Sequence, residues 1–550
     1  MNFNNRQSLN KHMKRYLLFI LLIACFVGCQ KTESYPNDTM NLDTSFASIK
    51  EHEEYMDNVP DAIIGEKTPN PYSIDNIKAA FNNLPEATKA GFSESDIIAT
   101  HTYIAFTPSN EDELYAIKAI KDDEMVLYHY PQDYEISDGR IVKDPRFTKN
   151  GYSYKWAYVP KGYDLSKINC PYEVLYDVYS PDIESPDSKG GQKSLPYNLR
   201  LALEKESYRL CGQTMTSVPL TKAAVAPSGY VKFWDIDFSS YRGVNGFKVR
   251  AVRGLHSCFM NTDANGYFST TDTFLYNFKY EFYFRRTDFE IRDGDDDDEI
   301  IYTFNDYHGP IYKYFSDDKM CFWASIDRAA IVYYYLDNKG LRRPPMESDN
   351  TARLAIRAYC ESGDAYGYFT YEDYWIFGNR PIVKVYRDTG GSVPTRRTNE
   401  EIFATTIHEL AHASHWRNNS TSFYQTENIA VESFARGVQW LLTSDSYPGY
   451  TVNYYARMSY TGIIQDLTDG YGTKTSNLYA YWDSNGSLSF HTYSKSYYDN
   501  VSGYTPSQIE EALRQSTTWT QWRINLVQNN PGVANELDVV AAFDFWNSMY

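Results

Sequence analysis

Residues 408 to 412 read His-Glu-Leu-Ala-His, and these residue types at this spacing could bind a metal ion and activate water. On an α-helix, residues four positions apart lie on one face about one turn apart, so His408 and His412 could both reach one Zn²⁺ ion. Glu409 would then lie beside the open position of the metal as a general base. With only 10 His in 550 residues, this pattern rarely arises by chance. The alternative is an amphipathic helix that carries two unrelated histidines.

The flanking sequence predicts the elements that would position these residues. Thr398 and Glu401 have the spacing of a capping box, which marks the start of a helix. A second helical pattern covers residues 427–442. The first helix is expected to face the core, because apolar residues recur along it at three-to-four-residue spacing: Ile402, Phe403, Ile407, Leu410 and Ala411.

A catalytic zinc site needs a third protein ligand, and Glu432 is the predicted one. It interrupts an apolar helical stretch, where a carboxylate is costly unless it is paired or bound to a metal. It follows His412 by 20 residues, enough for one helix to end and a second to return across the ion. One alternative is a salt bridge between Glu432 and Arg436. Another is Glu427 as the ligand, although an acidic residue is expected at a helix start for dipole reasons.

The segment His408-Glu-Leu-Ala-His412, followed by Ala-Val-Glu432-Ser-Phe-Ala, resembles the gluzincin class of zinc metallopeptidases. The resemblance implies His408, His412 and Glu432 as zinc ligands, with Glu409 as the general base for peptide-bond hydrolysis. Such enzymes usually add a Tyr or His that stabilises the oxyanion. The candidates in this chain are Tyr424, Tyr454, Tyr455, Tyr460 and His491.

Three positions differ from the motifs of known zinc metallopeptidases. Metzincins have Gly and His where this chain has His415 and Asn418, so their third ligand is missing. His415 shares the helix face of the motif but lies one turn further along, which favours a core or supporting role. The thermolysin branch has an Asp four residues after the third ligand, where this chain has Arg436. The groups that support the ligands must therefore differ.

The N-terminus predicts export. Basic residues precede an apolar run that ends at Cys29, and this pattern is typical of a signal peptide (1–29) rather than a transmembrane helix. Gly28-Cys29 resembles a bacterial lipobox, with Phe26 where Leu is usual, so Cys29 is the predicted lipidation site. The following residues weakly resemble the surface-export signals of Bacteroidetes lipoproteins. We expect a lipid anchor in the outer membrane at the cell surface; a plain secretory signal cut elsewhere is the alternative.

The amino-acid composition limits which classes of molecule this protein is expected to bind. The formal net charge of −18 argues against nucleic acid or an anionic membrane surface. Aromatic residues make up 16% of the chain, and exposed Tyr and Trp could form sugar or peptide platforms, although most are expected to fill β-sheet surfaces. Five cysteines follow Cys29 at wide spacing without a CxxC pair, so no disulfide framework is indicated.

Shifts in sequence pattern predict a multidomain α+β protein. A polar linker (30–60) follows the signal peptide, and a mixed α/β N-terminal domain (61–222) follows the linker. A small β-sandwich (223–304) comes next, and then a zincin-like metallopeptidase domain with a helical C-terminal part (305–550). Within the N-terminal domain, His101 and His129 have no acidic or His partner at ligand spacing and are interpreted as structural.

The sandwich region carries two further features. The segment Gly243–Val252, followed by Thr262–Ser269, resembles carboxypeptidase regulatory-like, transthyretin-like domains, which implies a structural or positioning role. The acidic segment Asp293–Glu299 could hold Ca²⁺ through several carboxylates. A solvated hairpin tip is the favoured interpretation of that segment.

The predicted function is zinc-dependent hydrolysis of extracellular or periplasmic proteins or peptides. Strands before the metal helix suit this function, because an edge strand can pair with an extended substrate. The chain as a whole resembles a group of Bacteroidetes surface lipoproteins. The competing hypotheses are a non-catalytic glycan- or protein-binding surface lipoprotein and a pseudo-protease that keeps the site for structure.

Overall fold

A computed structural model describes residues 60–122, 125–180, 195–213, 225–274, 277–346, 353–363, 367–374, 378–390, 393–418, 420–451, 456–457, 460–476, 479–482, 488–491 and 495–549. The predicted signal peptide, Cys29 and nearly all of the predicted linker lie outside these ranges. Helices and several sheets are mixed along the chain, which agrees with the predicted α+β class. Within the described ranges, no helix combines the length and apolarity that a bilayer crossing needs.

Residues 60–213 build a mixed region around one antiparallel sheet. Strand β2 (His101–Phe106) pairs with β8 (Lys155–Pro160) and β9 (Tyr172–Val178), and β3 (Leu127–Tyr128) extends the sheet beyond β8. The other strands are β1 (Ile64–Lys67), β4 (Tyr134–Ile136), β5 (Gly139–Arg140), β6 (Thr148–Lys149) and β7 (Tyr152–Ser153). The helices are α1 (Ile74–Asn83), α2 (Glu86–Lys89), α3 (Glu111–Lys118) and α4 (Tyr197–Leu210).

Two sheets pack face to face over residues 225–315. Their strands are β10 (Ser228–Asp235), β11 (Ser240–Arg242), β12 (Lys248–Arg253), β13 (His256–Asn261), β14 (Tyr267–Ser269), β15 (Phe278–Tyr283), β17 (Ile301–Tyr307) and β18 (Ile311–Phe315). One sheet has the order β13-β12-β15-β17-β5. In the other, β10 pairs along one edge with β11 and β14, and along the opposite edge with β18 in parallel. The ring of Phe233 on β10 contacts those of Phe247 and Phe284 in the buried layer.

Strand pairing crosses the predicted domain boundaries. β5 lies in the predicted N-terminal domain but pairs with β17, and β18 lies beyond residue 304 but pairs with β10. Conversely, β16 (Phe289–Asp293) lies within the predicted sandwich range and pairs with β19 (Leu354–Ser362) of the following sheet. Alternation in a sequence marks strands without identifying their partners. The range 223–304 therefore does not coincide with a closed pair of sheets.

The third sheet lies next to the motif. β16, β19 and β21 (Gly378–Asp388) are parallel, and β20 (Gly367–Tyr374) is antiparallel to β21 at the edge. Helix α6 (Asn399–Asn418) carries the motif and packs against β20 and β21, with α5 (Asp318–Tyr335) and α8 (Asn428–Ser446) beside it. In the part of the chain that the structure describes, the outer edge of β20 pairs with no strand.

Shorter elements complete the chain. Helix α7 (Ser420–Phe423) links α6 to α8, and α9 (Ile463–Thr468) packs against α8. The last helices are α10 (Pro506–Arg514), α11 (Trp519–Asn529) and α12 (Glu536–Asn547). The last strands are β22 (Ala456–Arg457), β23 (Gly472–Ser476), β24 (Tyr479–Trp482), β25 (Leu488–His491) and β26 (Lys495–Asp499). The cysteines of the described part are free thiols: Cys170, Cys211, Cys258, Cys321 and Cys360.

Candidate metal centre

Helix α6 is anchored as its sequence predicts. The backbone N–H of Thr398 donates to the Glu401 carboxylate over 2.9 Å, and the backbone N–H of Glu401 donates to the Thr398 hydroxyl over 3.3 Å. Both bonds of the capping box are therefore present. The five apolar residues of the predicted core face are buried. This anchoring fixes the rotation of the helix, which directs His408 and His412 towards α8.

His408, His412 and Glu432 meet between α6 and α8. Nε2 of His408 lies 3.1 Å from Nε2 of His412. Oε2 of Glu432 lies 3.3 Å from Nε2 of His408 and 3.5 Å from Nε2 of His412. All three side chains are buried. Two histidines from one helix and a carboxylate from the next thus point at one common centre, as the sequence predicts.

The spacing of these three atoms fits a tetrahedral zinc ion. Bonds of about 2.0 to 2.1 Å at the tetrahedral angle place neighbouring ligand atoms about 3.3 to 3.4 Å apart. Burial lowers the pKa of His412, but the Glu432 carboxylate more than offsets this and raises it. Burial likewise raises the pKa of Glu432, yet the two imidazoles hold it well below its usual range. The centre thus favours positive charge, which a divalent cation would supply.

Gln439 on α8 orients His408, a contact that is not among the sequence predictions. Oε1 of Gln439 lies 3.2 Å from Nδ1 of His408, and the Gln439 amide donates to the Tyr450 hydroxyl over 2.8 Å. Metal-binding histidines usually place their second nitrogen on such a partner. Gln439 follows Glu432 by seven residues, about two helical turns, so it shares the face of Glu432. That spacing was the signal in the sequence that could have identified it.

Glu409 is buried against the edge strand β20. The backbone N–H of Phe369 donates to its carboxylate. Burial raises the pKa of Glu409, and the nearby imidazoles only partly offset this. Gly367 leaves room for the side chain, because a Cβ atom there would lie 3.1 Å from Cγ of Glu409 and 2.8 Å from Cγ2 of Thr405. The candidate base and the edge strand are therefore in direct contact.

Among the predicted oxyanion donors, Tyr460 lies beside the three clustered residues. Its ring centroid is 5.8 Å from that of His408, and the Arg436 guanidinium lies 5.3 Å from the Tyr460 ring. Tyr424 is exposed. The other candidates are not placed: Tyr454 and Tyr455 lie outside the described residues, as does the side chain of His491.

His415 and Glu427 have other surroundings. The His415 ring is buried edge-to-face against Phe423 and Phe434, at centroid distances of 5.1 and 6.2 Å. Burial lowers its pKa to about 3, so His415 is a neutral core side chain. Glu427 lies at the N-cap of α8, where its carboxylate accepts from the backbone N–H of Trp519 over 2.7 Å.

The acidic segment Asp293–Glu299 is exposed at its tip, at Asp295 and Asp296, as expected for a solvated hairpin. Its last two carboxylates, Asp298 and Glu299, instead join a salt-bridge cluster. Lys155 is 1% exposed and its Nζ lies 2.8 Å from Oδ2 of Asp298. Arg285 lies 2.9 Å from Glu299, and Lys118 lies 3.8 Å from the same carboxylate. These cations come from distant parts of the chain, so sequence proximity could not reveal them.

His129 belongs to this cluster. Its Nε2 lies 3.4 Å from Oε1 of Glu299, an acidic partner that is distant in the sequence. Ligand atoms of His129, Asp298 and Glu299 lie within 4.8 Å of one another. The ammonium groups of Lys118 and Lys155 already contact these carboxylates. This arrangement disfavours both Ca²⁺ and a second metal ion there.

Comparisons with known proteins give no assignment. No protein-family model, no curated protein and no solved structure matches this chain. The resemblances to gluzincins and to carboxypeptidase regulatory-like domains therefore rest on the residues quoted for them.

Proposed function

We propose that this protein is a zinc-dependent peptidase of gluzincin type. The observation that carries the proposal is the approach of two imidazole Nε2 atoms and one carboxylate oxygen to 3.1–3.5 Å, beside a buried glutamate. His408, His412 and Glu432 would hold the ion. Zinc, when bound, would supply Lewis acidity, which acidifies water and polarises a carbonyl group.

Glu409 would act as the general base. It would take a proton from the attacking water at its carboxylate and pass it to the leaving amine. The Phe369 N–H fixes one side of this carboxylate, and burial raises its pKa, which suits a group that must both accept and release a proton. Tyr460, beside His408, is the proposed hydrogen-bond donor to the oxyanion.

A peptide substrate fits the free edge of β20. An extended peptide can add to an exposed strand through main-chain hydrogen bonds. Because Gly367 and Phe369 of β20 contact Glu409, a peptide paired there would pass beside the candidate base. This favours proteins or peptides over small molecules as substrates. With the predicted lipid anchor at Cys29, hydrolysis would take place outside the cytoplasm, at the outer membrane surface.

A cleavage assay with matched variants tests the proposal. The purified protein is incubated with a mixed peptide library, with and without a chelator, and zinc per chain is measured in parallel. We expect one zinc per chain, cleavage that the chelator abolishes, and loss of bound zinc in Glu432→Ala. Glu409→Gln should keep zinc and lose at least about 100-fold in kcat/KM. Glu400→Gln, on the same helix but outside the cluster, is the control and should cleave normally.

Three results would contradict parts of the proposal. Zinc at one per chain without any cleavage would favour a pseudo-protease. Cleavage by Glu409→Gln at the rate of the unaltered protein would remove Glu409 from the chemistry. Zinc retained in Glu432→Ala would remove the assignment of the third ligand.

A further inference from the structure

The outer face of the sheet around β10 carries a continuous set of aromatic side chains. Strand register places them on one side, because Tyr230 is paired with both Tyr267 and Tyr312, and Trp234 is paired with Tyr241. Residues paired across neighbouring strands point to the same side of a sheet. We define the aromatic face by seven residues: Tyr230, Lys232, Trp234, Tyr241, Tyr267, Tyr312 and Tyr314.

The rings on the flanking strands are exposed, whereas Tyr230 and Trp234 on β10 are half-buried, and neighbouring rings contact one another. Tyr312 is 61% exposed and Tyr314 is 51% exposed. The Tyr230 ring lies 5.0 Å from the Tyr267 ring and stacks on the Tyr312 ring at 6.0 Å. Tyr241 contacts the rings of both Trp234 and Tyr314, at 5.2 and 5.5 Å. Strand geometry gives the face dimensions of about 10 Å by about 13 Å, enough for a short oligosaccharide.

The chemistry of the face fits a sugar better than a protein. The other outward positions on these strands are Ser228 and Ser269, a cross-strand pair, so the strands themselves present no aliphatic and no acidic side chain on this face. The exposed Ile236 lies just beyond the end of β10. Aromatic rings have an electron-rich face that attracts the C–H groups of a pyranose ring. Among the described residues, no side chain is hydrogen-bonded to a tyrosine hydroxyl of this face, which leaves these groups for sugar hydroxyls.

Lys232 gives the face a charge. Its Nζ lies 5.7 Å from the Tyr230 ring, and it is paired in register with Tyr314. Within the described part of the chain, no carboxylate forms an ion pair with it, although the net charge of the protein is −18. An ammonium group amid aromatic rings complements a ligand that carries negative charge.

We propose that the aromatic face binds an anionic glycan, a chain of sugar rings that bear carboxylate or sulfate groups. Sugar rings stack on the tyrosines, and one acidic group pairs with Lys232. The residues after β10 also touch the start of α6, because the Ile236 N–H donates to Asn399 over 3.0 Å. A bound glycan would thus lie on the sheet that contacts the start of the helix that carries His408 and His412. The binding itself does not depend on peptidase activity.

Affinity electrophoresis and calorimetry test this binding directly. The probes are polygalacturonate for carboxylates, heparin for sulfates and dextran as a neutral chain. We expect the purified protein to bind one anionic probe and bind dextran at least 10-fold more weakly. The double variant Tyr312→Ala/Tyr314→Ala should lose binding at least 10-fold, and Lys232→Gln should lose most of the preference for charge. Tyr471→Ala, an exposed tyrosine outside the aromatic face, is the control and should bind normally.

The following results would contradict the glycan-binding proposal or separate it from the peptidase proposal. Retained binding in the double variant, or no binding of either anionic probe by the unaltered protein, overturns the proposal. A dimer in sedimentation that the double variant abolishes also overturns it, in favour of self-association. Glu409→Gln should bind the probe like the unaltered protein, so a failure of the peptidase proposal leaves this result unaffected. Matching thermal unfolding curves show that the variants are folded.

Discussion

Nδ1 of His408 lies 3.2 Å from Oε1 of Gln439, which connects a candidate zinc ligand on α6 to a supporting side chain on α8. This contact fixes the tautomer that leaves Nε2 of His408 for a metal. Removal of the acceptor in Gln439→Met should weaken zinc binding by about 10- to 100-fold. Competition with a zinc-responsive chelator measures the change.

Two further variants test whether any loss of zinc binding is due to the lost hydrogen-bond acceptor at Gln439. Gln439→Glu keeps an acceptor at the same place and should retain most of the affinity. Gln521→Met changes an exposed glutamine on α11 and should bind zinc like the unaltered protein. Equal affinity in Gln439→Met and the unaltered protein would mean that the contact does not support the metal.

The contact between Gly367 and Glu409 gives a second prediction. In Gly367→Ala the new Cβ would lie 2.8 Å from Cγ2 of Thr405, 2.9 Å from the backbone oxygen of Lys384 and 3.1 Å from Cγ of Glu409, so β20 and the base must shift relative to each other. A displacement of about 1 Å near the chemistry can cost about 100-fold, so we expect this smaller shift to lower kcat/KM by up to about 100-fold with zinc content unchanged. Gly363→Ala is the matched control, because its Cβ would meet the Tyr386 ring at 2.6 Å but not Glu409. An equal loss in both variants would point to general damage to the sheet.

The sequence predicts the arrangement of the site residues where it depends on spacing within one or two helices. The spacing of His408 and His412, the capping box at Thr398 and the apolar stretch around Glu432 all lie within one or two helices, and the structure places them as expected. Gln439 and Phe369 were missed, because their roles depend on how separate elements pack together.

Runs of charged residues in the sequence were the least informative about the structure around them. The segment Asp293–Glu299 has the composition of a solvated loop, yet Lys155 from β8 and Lys118 from α3 pair with its last two carboxylates, Asp298 and Glu299. Sequence reveals a charge but not the distant partner that permits its burial. Strand pairing also crosses the predicted boundary at residue 304, since parallel strands such as β16 and β19 are joined by long connections that a local pattern does not reveal.

Lys155 provides a test of that cluster. Lys155→Met should lower the free energy of unfolding by up to about 3 to 5 kcal/mol, because it leaves the Asp298 carboxylate without its nearest cationic partner. Asp295→Asn removes a salt bridge whose carboxylate is 76% exposed and should cost no more than about 1 kcal/mol. Added Ca²⁺ should leave the unfolding temperature of the unaltered protein unchanged. A Ca²⁺-dependent rise would instead assign the segment to calcium.

Asp327 on α5 predicts how stability depends on pH. The side chain is 1% exposed, and no hydrogen-bond partner of its carboxylate lies among the described residues. Burial raises its pKa to about 8, with Arg286 and Arg328 acting in the opposite direction. The folded protein therefore keeps this proton up to about pH 8, whereas the unfolded chain loses it near its ordinary pKa of 3.8. Between pH 3.8 and pH 8 the folded protein therefore holds one more proton than the unfolded chain. The free energy of unfolding is thus unaffected by Asp327 below pH 3.8 and falls as the pH rises from 3.8 towards 8.

Asp327→Asn removes this titration without changing the shape of the side chain. The variant should gain stability relative to the unaltered protein as the pH rises from 5 to 8, by at most about 1.4 kcal/mol per pH unit. Thermal or denaturant unfolding at each pH measures the difference. Asp272→Asn, at an exposed position, is the control and should follow the unaltered protein throughout. If the advantage of Asp327→Asn stays constant with pH, the buried carboxyl group is already ionised, and an ion pair with Arg286 or Arg328 would be the reason.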